Sequence, residues 1–166
     1  MILRLDAQPQ QGSESSNTPS FPAAAHSDPA ADNFECLRIA QVLQASEDGD
    51  IDALTESLGK LNVELETKGE DGDTALHLAC LYGHTDCVKL ILEKGAKVDI
   101  KDGDGGLPLH DACAGGYLEI VEMLVEKAPE TVHAKDEDGD TPLIHAARGD
   151  HLEVVHLLID KGADPR

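Results

Sequence analysis

The chain has 166 residues, two phenylalanines, two tyrosines, no tryptophan and a formal net charge of -20 at pH 7. That length suits one modest domain, and a charge of that size and sign repels phosphate, which argues against nucleic acid or anionic lipid as the main ligand. No apolar run approaches the 18 or more residues of a membrane span, and Met1-Ile2-Leu3 is too short for a secretory core, so the expectation is a soluble protein of the cytoplasm, with the nucleus also open to it.

Residues 1–32 are rich in Gln, Ser, Pro and Ala and lack apolar periodicity. Such a composition buries too little surface to offset its ordering entropy, so a disordered tail is expected. Ser13, Ser15, Ser16 and Ser20 admit either a phosphorylatable segment or a plain flexible extension. The tail holds Asp6, Glu14, Asp28 and Asp32 against Arg4, so most of the negative charge lies in residues 33–166. A first helix is expected from a cap at Asn33, burying Phe34, Leu37, Ile39, Val42 and Leu43.

Beyond it a unit recurs. Thr74-Ala75-Leu76-His77, Leu107-Pro108-Leu109-His110 and Thr141-Pro142-Leu143-Ile144 begin 33 and then 34 residues apart. Each is followed by an Ala-Cys or Ala-Ala pair, a glycine-bearing turn, and Asp86-Cys87-Val88, Glu119-Ile120-Val121 or Glu153-Val154-Val155. A period of this length marks stacked units that touch only their neighbours. Thr74 and Thr141 are expected to cap an inner helix through their hydroxyls, Pro108 and Pro142 to sit in its first turn, and Gly83 and Gly116 to turn left-handed at its end. The fourth unit has Gly149-Asp150 there, which predicts a kept turn of altered geometry. Adjacent apolar pairs one turn apart (Cys87, Val88, Ile91, Leu92 and their equivalents) predict an outer helix whose stripe is the seam between units. Ala53, Leu54, Ser57 and Leu58 give the first unit a more polar seam, as a cap requires.

These residues resemble the ankyrin repeat. The resemblance implies an all-α solenoid of stacked helix-turn-helix units with projecting β-hairpin turns: a degenerate capping repeat at 33–68, then repeats at 69–101, 102–135 and 136–166. The last helix keeps an apolar face, so Val154, Leu158 and Ile159 are expected either to fray or to pack on something else, self-association included.

No constellation reads as catalytic or cofactor-binding. Asp136-Asp138-Asp140 and Asp48-Asp50-Asp52 start like calcium loops, but Thr141 and Ala53 stand where Gly is needed, and Ala147 and Gly59 where Glu is needed. His77 and His110 are expected to tie adjacent turns together, without the companions of a zinc site. His151 and His156 are placed on different faces of one outer helix. Cys36, Cys80, Cys87 and Cys113 read as small, reduced core residues. Gly103-Asp104-Gly105-Gly106 lacks the Lys-Ser/Thr of a phosphate loop.

Acids repeat at the turns. Asp71, Asp104 and Asp138 each precede a glycine, which is favoured turn chemistry, whereas Glu70, Asp73, Glu137 and Asp140 have no backbone reason to be acidic. In the ankyrin family, turn tips and exposed inner-helix positions line a concave binding surface. Carried over, that surface comprises Glu70, Asp71, Asp73, Leu81, Tyr82, Asp104, Ala114, Gly115, Glu137, Asp138, Asp140 and Arg148. Tyr82 is the candidate anchor, and Lys68, Lys101 and Lys135 stripe the edge. The expected function is non-catalytic protein recognition, as adaptor or scaffold for a partner with a basic patch. Stoichiometric regulation of an enzyme and chaperoning of clients with basic segments are the alternatives. The same acidity would also arise from solubility alone.

Overall fold

The computed structural model describes residues 29–59 and 65–165. The chain divides into two compact units, Met1–Cys36 and Leu37–Arg166. Of the first, the described part is the opening turns of helix α1 (Pro29–Asp48), which runs on into the second. The tail expected to be disordered lies outside the described residues up to position 28. The first helix starts at Pro29 and not at Asn33; proline suits a first helical turn, where no amide partner is required.

Helices α2 (Ile51–Gly59), α3 (Ala75–Leu81), α4 (Thr85–Glu93), α5 (Pro108–Gly115), α6 (Leu118–Lys127), α7 (Pro142–Arg148) and α8 (Leu152–Asp160) follow, with a 3-10 turn at Pro129–His133. The inner helices α3, α5 and α7 pack successively on one another, and α2, α4, α6 and α8 form the outer row. Each repeat is thus a helical hairpin that buries its apolar face only by stacking. No helix among the described residues is long and apolar enough to cross a membrane.

The turns between repeats project as hairpin loops without a strand ladder among the described residues. Each is closed at its base by a backbone bond, the Gly69 N–H to the Asp73 carbonyl at 2.8 Å, Asp102 to Gly106 at 2.8 Å, and Asp136 to Asp140 at 3.1 Å, with a second bond inside it from the Gly72, Gly105 or Gly139 N–H back to the Gly69, Asp102 or Asp136 carbonyl. Gly72, Gly105 and Gly139 hold φ of 87°, 76° and 85°, the left-handed conformation glycine allows without strain.

The core follows the repeat period. Ala45, Ala79, Ala112 and Ala146 occupy equivalent buried positions, as do Leu54, Val88 and Val121 at the outer seam. Small residues at the first set let the inner helices approach closely, and the branched ones fill the seam. Two expectations about the ends change. In α1, Phe34 and Leu37 are exposed, and the buried face is carried by Val42 and Ala45. In α8, Val154 and Leu158 are fully buried in their own repeat stack, and only Leu152 and Ile159 stand out, at 68% and 41% exposure. Cys36 is exposed, whereas Cys80, Cys87 and Cys113 are buried, and burial pushes the Cys80 and Cys113 thiols well up, which makes them poor nucleophiles.

Candidate functional site

The site rests on how each turn is held. In repeat two the Thr74 side chain accepts the His77 N–H, and the His77 ring returns the bond by accepting the Thr74 N–H at Nδ1, at 3.2 Å. A backbone N–H only donates, so Nδ1 is bare and the ring proton sits on Nε2. That Nε2–H points at the Gly106 carbonyl of the next turn, 3.3 Å away. His110 repeats the arrangement, accepting the Leu107 N–H at 3.0 Å and reaching the Asp140 carbonyl at 3.3 Å. Leu107, unable to cap by itself, keeps half of the capping box through its histidine. Repeat four has Ile144 at this place, and Thr141 makes no side-chain cap, against expectation.

A second set of ties went unrecognised in the sequence. His84, Tyr117 and His151 occupy the N-cap positions of α4, α6 and α8, and each lies against the preceding repeat. His84 Nε2 bonds the Glu47 carbonyl at 2.8 Å, and His151 Nε2 bonds the Ala114 carbonyl at 3.0 Å. His151 therefore precedes α8 and does not share its surface with His156. A methyl group on Gly49, Gly83 or Gly116 would overlap the ring of His84, Tyr117 or His151 respectively. The signal was present: a Tyr or His 34 or 35 residues after each of these glycines.

The acids at the turns divide into two kinds. Asp102, not singled out from the sequence, and Asp136, noted there only as the start of a calcium-like run, build the turns. The Asp102 Oδ1 accepts N–H bonds from Asp104 and Gly106, both at 2.8 Å, and Asp136 accepts from Asp140 N and His145 Nε2, again both at 2.8 Å. Burial raises the Asp136 carboxyl, but the bonds from His145 and Asp140 outweigh it and hold it below the usual range. By contrast Glu70, Asp71, Asp104, Glu137 and Asp138 are exposed, and the side-chain bonds that close the turns among the described residues fall to Asp102, Asp136 and Asp140 and not to these five.

The remaining candidates are placed as follows. Asp73 and Asp140 are only partly exposed. Burial, then the charges of Asp102, Asp71 and Asp104, raises the Asp73 carboxyl. Arg148 is paired with Asp140, which neutralises that one carboxylate and leaves Glu137 and Asp138 exposed beside it. Leu81 and Ala114 are exposed, and Gly115 is half-buried beneath the Tyr117 ring. Tyr82 is 46% exposed, its hydroxyl donates to Glu47 at 3.4 Å, and its ring stacks on His84 at 6.3 Å between centroids. One face of the ring is held and the other is open.

Two groups of metal-ligand type converge; the members of the first are 9 to 34 residues apart in sequence and those of the second 4 to 9. In each, His77 with Asp102 and Asp111, and Asp136 with Asp140 and His145, the potential ligand atoms lie within 4.8 Å of one another. In the first, the two ring nitrogens of His77 are committed to Thr74 and Gly106. In the second, His145 and Arg148 already bond the two carboxylates. The hydrogen-bonding pattern thus reads as turn architecture in both.

Stacked helical hairpins with projecting turns and buried histidine ties define a helical repeat protein of the interaction type. The ankyrin-repeat models match residues 42–136, as three copies, and residues 138–166, as one more. The chain belongs to the ankyrin-repeat family, whose repeats are protein-interaction modules. Curated relatives include cortactin-binding protein 2 of Ornithorhynchus anatinus, 37% identical over 62 residues, covering 37% of this chain and 4% of that protein. The Mus musculus cortactin-binding protein 2 is 39% identical over 56 residues, 34% of this chain and 3% of that protein. A Caenorhabditis elegans homologue of transient receptor potential cation channel subfamily A member 1 is 40% identical over 68 residues, 40% of this chain and 5% of that protein. The matched stretch is thus a small part of each relative.

Proposed function

We propose that the chain is a non-catalytic adaptor or scaffold, working in the cytoplasm with the nucleus also open to it. A protein partner bearing a basic patch docks along the face formed by its turn tips and the exposed positions of α3, α5 and α7. One observation carries this reading. The acids whose side chains bond the turns are Asp102 and Asp136, while Glu70, Asp71, Asp104, Glu137 and Asp138 recur at the tips with exposed carboxylates that take no part in those bonds. A row of carboxylates in that state steers a cationic partner and fixes its register. Tyr82 supplies the apolar anchor beside it, since a ring already held on one face loses little freedom on binding. Relatives named for binding cortactin support a protein as partner, but the identity of theirs is not carried over.

The test is affinity capture under low and moderate salt with wild type, with Asp71→Lys/Asp104→Lys/Asp138→Lys, and with Tyr82→Ala. Partners are expected to be lost from the triple variant and to bind Tyr82→Ala about tenfold more weakly. Capture by the triple variant equal to wild type would assign the acidity to solubility.

A further inference from the structure

Repeat four shows how a turn carboxylate is answered in this molecule. Asp136 receives His145, and its neighbour Asp140 receives Arg148. In repeat three the corresponding turn acid is Asp102, and the places of His145 and Arg148 are taken by Asp111 and Ala114. A second carboxyl therefore stands where the fourth repeat has a base. Repeat two has Leu78 at this position, so the acid is not required by the fold.

Carboxylate oxygens of Asp102 and Asp111 and a ring nitrogen of His77 lie within 4.8 Å of one another, at the junction of repeats two and three. Asp111 is partly buried and forms no hydrogen bond with a fixed backbone donor among the described residues. Two carboxylates in that setting repel strongly unless one proton serves both. His77 does not supply positive charge, because its Nδ1 must stay bare to accept the Thr74 N–H. The other titratable groups around Asp111 are Asp73 on the preceding turn, Cys80 on α3 and Cys113 on α5 itself. On α7, His145 and Arg148 are engaged with Asp136 and Asp140. The charges of α6 (Glu119, Glu122, Glu126 and Lys127) are exposed, with Glu119 paired to Lys89 on α4.

We propose that Asp102 and Asp111, both of repeat three and lying beside His77 of repeat two, form a proton-held latch within repeat three at its junction with repeat two, engaged while the pair shares one proton and released when both carboxylates are charged. Burial, then the charges of Asp102 and Asp73, pushes the Asp111 carboxyl up to about 8, which puts release in the mildly alkaline range. The folded chain then keeps a proton that the unfolded chain gives up above its ordinary value of 3.8. The stability owed to this group is complete below that value, falls as pH rises toward 8, and changes no further above it. The released proton passes to water, and no other bond changes.

The experiment is a carboxyl-carbon NMR titration of the full chain across the acid to mildly alkaline range. It compares wild type, Asp111→Asn, Asp111→Leu and Asp102→Asn, with urea midpoints at the two ends. The latch predicts one wild-type aspartate titrating well above the others, absent from both Asp111 variants and moved down in Asp102→Asn. It also predicts that the wild-type urea midpoint falls with rising pH relative to Asp111→Leu, the residue repeat two already carries. All aspartates titrating in the ordinary range, or a high titration that survives in Asp111→Asn or is unmoved in Asp102→Asn, would overturn it.

Discussion

At the residue scale the joint between repeats is a glycine under a ring. Gly49, Gly83 and Gly116 have φ of 74°, 77° and 76° and are each covered by the ring that opens the outer helix of the following repeat. Both demands fall on the same residue, so Gly83→Ala is expected to cost at least about 2 kcal/mol, the left-handed penalty plus displacement of Tyr117. Urea unfolding measures it. At the equivalent place in repeat four, Asp150 holds φ of 60°. The turn is kept, as expected, and its left-handed conformation falls on an aspartate one residue after Gly149. Asp150→Gly should stabilise the chain by up to about 1 kcal/mol, and a loss of stability would contradict this explanation.

The histidine ties add a pH dependence. Burial lowers the His77 and His110 pKa values from the ordinary 6.5, and in His110 the charge of His145 adds to that. A group whose folded value is depressed binds its proton more readily in the unfolded chain. The stability it contributes is present above 6.5 and is lost as pH falls below it. Protonation places a hydrogen on Nδ1, facing the N–H it must accept. The Asp111 contribution runs the other way, so the comparison is with His110→Gln. On acidification from pH 7 to pH 5, wild type should lose more stability than this variant does, and equal losses would exclude the tie. Much of this scale was hidden in the sequence. His77 and His110 were legible as ties because the motif marks them, whereas Asp102 and Asp136 were not, since nothing local separates an acid that closes a turn from one that decorates it.

At the scale of elements, the paired apolar pattern located α4, α6 and α8, because those positions face the seam in every repeat. The pattern failed in α1, the first described helix. In α1 the apolar spacing predicted Phe34 and Leu37 in the core, yet burial begins at Val42. The 3-10 turn at Pro129–His133, which buries Thr131 and Val132, left no periodic trace because it is shorter than two helical turns. In α8 the distinction between Leu158, fully buried, and Ile159, 41% exposed, decides what a substitution does. Leu158→Ala should cost about 2–5 kcal/mol in urea unfolding, whereas Ile159→Ala should fall within about 1 kcal/mol of wild type. Similar losses at both positions would mean that the last repeat packs differently. For the same reason, Ile159→Glu and not Leu158→Glu is the variant that tests self-association by light scattering, since it leaves the core intact.

At the scale of the whole molecule, a net charge of -20 sets the terms of any encounter. The fold was legible in full outline because a repeat states the same instruction several times, so one degenerate copy does not erase it. The candidate face was legible only as positions. Which acids are spent on turns, and that Arg148 neutralises Asp140, depends on side-chain geometry that spacing does not carry. Those pairings also choose the substitutions: reversing Asp140 would strand Arg148, while Asp71, Asp104 and Asp138 can be reversed without disturbing the Asp102, Asp136 and Asp140 bonds that hold the turns.

The central claim is therefore tested most directly by capturing partners from cell extract with wild type and with Asp71→Lys/Asp104→Lys/Asp138→Lys, after confirming equal helical content and melting temperature. Proteins with basic surfaces that are retained by wild type, weakened by salt and absent from the variant are the predicted result. Identical partner sets at matched salt would contradict the account.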